Sequence, residues 1–129
     1  MKTQFLKMVA VTAMTITAVA LGFSALAHDH EGKGKNVVVR GEIVDLACYL
    51  GHGATGMKHQ QCALTCLKGG QPMGLLASDG KVYLLLADHA DGKPFEEAKN
   101  YAALQVEITG PLAEKAGITG LTVETAKKL

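Results

Sequence analysis

The sequence predicts a mainly β domain with short helices: a five-stranded barrel carrying a helical cysteine/histidine insertion between strands 1 and 2. Three features support it. Val37 to Leu46 (VVVRGEIVDL) is a long β-branched run, and such side chains suit a pleated surface better than a helix. Two apolar runs, Pro72 to Ser78 and Lys81 to Ala87, are joined through Asp79-Gly80, a hairpin signal of type I′. Two more, Leu104 to Leu112 and Ile118 to Thr125, flank a turn at Ala113–Gly117 and close the chain.

The chain opens with Lys2 and Lys7, then an uncharged apolar run from Met8 to Leu26 that closes on Ala25-Leu26-Ala27. That small-x-small ending is what a signal peptidase accommodates, so residues 1–27 read as a secretion signal. The run approaches the ~20 residues of a membrane-spanning helix, which makes an uncleaved anchor the competing reading. Threonines at 12, 15 and 17 and the cleavage pattern favour removal, leaving no stable membrane anchor. No cysteine lies near the cleavage point, which argues against a lipoprotein. The expected location is periplasmic or secreted. Residues 28–36 (HDHEGKGKN) form an expected flexible polar arm, and 37–129 one domain of about a hundred residues.

Removal of Lys2 and Lys7 takes the net charge from +1 to about −1. No basic stripe is present, and the mature chain has no Trp and only Tyr49, Tyr83, Phe95 and Tyr101 as aromatics. A nucleic-acid partner is therefore excluded as an expectation.

Gly41 interrupts the first strand, where glycine often marks a bend. Gly51 to Gly56 (GHGATG) reads as a loop. Thr55 to Leu67 reads as a helix stopped by Gly69-Gly70. Its polar side is Lys58, Gln61, Thr65 and Lys68, and Met57, Leu64 and Leu67 make an apolar arc. His59, Cys62, Ala63 and Cys66 share a neighbouring arc at i, i+3, i+4 and i+7. Pro94 to Tyr101 reads as a second short helix, with proline in its first turn.

Five strands with a helix between the third and fourth match the OB-fold, a partly open Greek-key barrel. The elements VVVRGEIVDLACY, LQVEITGPL and GLTVET resemble those of the small exported OB-fold proteins of bacteria. The resemblance implies a binding module; it assigns no role to the insertion, which lies outside the general fold pattern.

The chemistry-bearing residues are in that insertion. Cys48 ends the predicted first strand, and His59, Cys62 and Cys66 share a helix face, within reach across a short loop. Three thiolates and an imidazole suit tetrahedral zinc, and soft thiolates suit copper(I) equally. His52 is a secondary ligand. A separate copper(II) site is expected at a mature terminus His28-Asp29-His30, where an amine, two amides and an imidazole give a planar nitrogen set. A disulfide from Cys48 to Cys62 or Cys66 is the competing reading, since exported thiols meet an oxidising compartment. A redox-active thiol pair and inert buried cysteines are further alternatives. No CxxC or CxxCH occurs, which disfavours thioredoxin-like work and excludes covalent haem. Asp45, Asp88 and His89 lack the company a hydrolase would need. The reading is thus a metal-binding protein, more a binder than an enzyme, with another exported protein as a candidate partner. A disulfide-stapled interaction module and a thiol-redox protein are its rivals.

Overall fold

The computed structural model describes residues 34–129. The expected secretion signal, with His28 and His30, lies outside the described residues. β1 (Asn36–Asp45), β2 (Met73–Ala77), β3 (Val82–Ala87), β4 (Gln105–Lys115) and β5 (Ile118–Val123) form a closed five-stranded barrel. β1 pairs with both β2 and β4, and the circuit closes through a parallel β3–β5 pairing. The other pairings are antiparallel. This is the expected OB-like barrel, with α3 (Lys93–Ala98) between the third and fourth strands. A sixth strand, β6 (Thr125–Lys128), runs antiparallel to β4 outside the circuit.

β1 closes the barrel because it serves two neighbours in succession. Asn36 to Glu42 pair with β4, and Gly41 to Asp45 pair with β2. The handover falls on Gly41, where an added Cβ would run into the Leu76 carbonyl. Only glycine permits that approach. Alternation along the strands then turns Ile43, Leu75, Val106, Ile108 and Leu121 inward, each with no exposed surface.

The insertion departs from expectation. It holds two helices, α1 (Leu46–His52) and α2 (Gln60–Lys68), with a 3-10 turn at Met57–His59 between them. Cys48 therefore sits in α1 and does not end a strand. The cause is Asp45, whose Oδ1 accepts from the Ala47 N–H at 2.9 Å and caps the new helix as β1 ends. Gly53 closes α1, donating to the Cys48 and Tyr49 carbonyls. The expected helix start at Thr55 fails because Gly56, at φ 73°, breaks the run before Met57. Met57 is consequently 62% exposed and does not belong to the core.

α2 ends in a Schellman arrangement. Gly70, at φ 95°, donates to Leu67, and Gln71 donates to Cys66. Ala63 and Leu67 are buried among Ile43, Met73 and Leu75 of the common core, fixing the inner face of α2 to the barrel. Leu67→Ala is expected to cost about 2–5 kcal/mol, because a fully buried leucine leaves a cavity. Urea unfolding checks it; an unchanged midpoint would mean that α2 is not part of the cooperative unit.

Candidate metal centre

With Ala63 and Leu67 buried in the barrel core and Leu64 packed against it, α2 still presents Cys62 and Cys66 to Cys48 of α1. Cys62 is exposed, while Cys48 and Cys66 are half-buried. Their three sulfurs lie within 4.8 Å of one another. All three cysteines are free, so no disulfide joins Cys48 to Cys62 or Cys66. Cys62 lies in the first turn of α2, not deep within a helix as the longer predicted element would have placed it.

The histidines form a second grouping. Ligand atoms of Cys48, His52 and His59 also lie within 4.8 Å of one another. The two rings meet edge to face, with centroids 6.1 Å apart and planes at 80°. His52, secondary in the sequence reading, thus stands level with His59. Neither histidine joins the set of three sulfurs, so the four expected ligands and His52 fall into two overlapping triples that share Cys48.

Asp45 is the residue that sequence reasoning undervalued. It is 2% exposed, and the thiols of Cys48 and Cys66 lie against its carboxylate. Burial pushes the Asp45 carboxyl up, but hydrogen bonding from Cys48, the Ala47 N–H and Cys66 outweighs it, and the net shift is downward. The same contact pushes the Cys48 thiol up to about 12, with desolvation adding to it. Cys66 is also raised, chiefly by desolvation and then by hydrogen bonding to Asp45 and Cys62. Thiols held protonated make poor nucleophiles, which disfavours thiol-exchange chemistry at Cys48 and Cys66.

One ring nitrogen of the cluster, His59 Nε2, is buried with no hydrogen-bond partner. Such an atom is costly, and hydrogen bonding within the cluster does not account for it. A cation coordinated by the thiolates and imidazoles would use that arrangement directly. The donor set fits thiophilic metals and does not resemble the all-oxygen sets of calcium or magnesium.

Glu42 supports the centre from β1. Its Oε1 accepts from the Gly56 N–H at 2.5 Å, and the Gly56 carbonyl accepts from the His59 N–H at 2.9 Å. The strand thereby fixes the turn that carries His59. Glu42→Ala is expected to weaken zinc binding by ~10–100-fold, the usual cost of losing a group that orients a ligand. A chelator competition measures this, and unchanged affinity would remove Glu42 from the site.

No family model matches the chain, and no curated protein and no solved structure matches it. Fold and site together define a small OB-like barrel with a cysteine/histidine cluster able to hold a metal ion.

Proposed function

We propose that this is an exported protein that holds a thiophilic metal, zinc or copper, through Cys48, Cys62 and Cys66 with His59 and His52 beside them. The observation that carries this reading is the convergence of three unbridged sulfurs, from two helices, within 4.8 Å of one another. The unpartnered His59 Nε2 supports it independently. Zinc–sulfur bonds run ~2.3 Å, so two thiolates on one tetrahedral ion stand about 3.8 Å apart. Small side-chain adjustments bring the sulfurs there. The metal is structural or held for transfer, and binding adds to the stability of a small core. The expected secretion signal at residues 1–27 supports placement in the periplasm or outside the cell.

Metal analysis of protein purified anaerobically tests the reading. Bound zinc or copper, lost on Cys62→Ser, is the expected result. No bound metal, and no change on Cys62→Ser, would overturn it. A second reading, an interaction module for another exported protein, is favoured by one observation. Leu50 of α1 and Ile118 of β5, 76% and 60% exposed, flank an apolar groove with Val82 and Leu84. Thiol counting on native protein after chelation should give three free thiols; a count of one would contradict the unbridged cluster on which the metal centre depends.

A further inference from the structure

We propose that the centre is binuclear, with the Cys48 thiolate bridging two zinc ions, one also held by Cys62 and Cys66 and the other by His52 and His59. This rests on the metal-binding reading and extends it from one ion to two.

The donors themselves divide the site. Each triple brings its ligand atoms within 4.8 Å of one another, and Cys48 is the single member common to both. Neither histidine comes within that distance of all three sulfurs. Zinc–nitrogen bonds run ~2.0–2.1 Å and zinc–sulfur bonds ~2.3 Å, so two donors on one ion are separated by at most about 4.6 Å. Five donors also exceed the four that a closed zinc site takes. A single sphere would therefore leave either the histidines or two cysteines without a role. A thiolate sulfur has lone pairs enough to donate to two ions, and Cys48 is the residue placed to do so.

His59 supplies an observation independent of the sulfurs: its Nε2 is a buried ring nitrogen without a hydrogen-bond partner, and the residue belongs to the second triple. Charge balance points the same way. On binding, the three S–H bonds break, the protons leave to solvent and three thiolates result. With the Asp45 carboxylate they carry four negative charges at a part-buried site. One divalent ion leaves half of that charge uncompensated, whereas two cancel it, and uncompensated buried charge is expensive.

The test is zinc stoichiometry by native mass spectrometry, in a His28→Ala/His30→Ala background that removes the terminal copper site. Two zinc ions per chain are expected. His52→Ala/His59→Ala should hold one, and Cys62→Ser/Cys66→Ser at most one. Cys48→Ser should hold neither at concentrations that saturate the parent, with far-UV circular dichroism confirming that each variant folds. Substitution with ¹¹³Cd should give two resonances showing scalar coupling to each other through the shared sulfur. Saturation at one ion, unchanged by His52→Ala/His59→Ala, overturns the binuclear proposal and leaves the metal-binding reading standing. Two resonances without mutual coupling overturn the bridge. Binding of no ion overturns both.

Discussion

Cys48→Ser is expected to weaken zinc binding by more than ~100-fold, beyond what a lost orienting group costs, while the barrel remains folded. Cys48 belongs to both donor triples, so its loss leaves two cysteines on α2 and two histidines on either side of the intervening turn. Two-donor remnants do not hold zinc well, because closed sites use four protein ligands and open ones three. Serine is close to cysteine in size, and Cys48 is only half-buried on α1, outside the barrel core. Its packing cost is therefore small, and thermal unfolding in the presence of chelator should change little. With zinc added, parent and variant should separate: an ion at a thousandfold excess over its Kd contributes ~4 kcal/mol to the folded state. Equal zinc-induced stabilisation of parent and variant would remove Cys48 from the site.

Asp45→Asn is expected to lower the pH at which Cys48 ionises, from about 12 towards the ordinary thiol value near 9. The Asp45 carboxylate is the largest cause of the elevation, through a thiol–carboxylate contact. Removing the charge while keeping a capping oxygen leaves α1 intact, since asparagine caps as well as aspartate. At pH 8 the thiolate fraction of Cys48 then rises by up to ~1000-fold, as lowering a pKa by one changes the thiolate-to-thiol ratio about tenfold. The measurement is the pH profile of iodoacetamide alkylation on metal-free protein, in a Cys62→Ser/Cys66→Ser background where Cys48 alone reports. Coincident profiles with and without Asp45→Asn would show that the carboxylate does not govern the thiol.

The same ionisations set a stability window. A thiol raised in the folded state contributes stability that is fully present below pH 9 and is lost as pH climbs towards 12. The lowered Asp45 carboxyl contributes above the ordinary carboxylate range and is lost as pH falls below it. The contribution of this pair to the metal-free protein is therefore greatest between these limits, and Asp45→Asn should flatten both edges.

The barrel was legible because its strands are local patterns. β-branched runs, alternation and turn glycines mark β1 to β5 to within a few residues at each end. The cysteine and histidine spacing on α2 was legible for the same reason, since i and i+4 positions share a helix face whatever surrounds them. α1 was not: seven residues with Gly51 among them show no helical period, and the one signal was Asp45 as a cap ahead of Leu46-Ala47. β6 (TAKK) has no apolar run and exists because β4 offers an open edge. The type I′ turn also fell elsewhere. Ala116 and Gly117 both take positive φ, 51° and 81°, whereas at Asp79-Gly80 only the glycine does.

The order of residues along the chain was enough to specify the barrel strands, the presence of a helical insertion and the set of sulfur and nitrogen donors, because each follows from neighbours in sequence. How those donors group was set by packing between distant segments. Burial of Ala63 and Leu67 fixes the facing side of α2, the Asp45 cap starts α1 at Leu46, and Glu42 holds the turn before His59. Ligand spacing across two helices depends on those long-range contacts, and no local period records them.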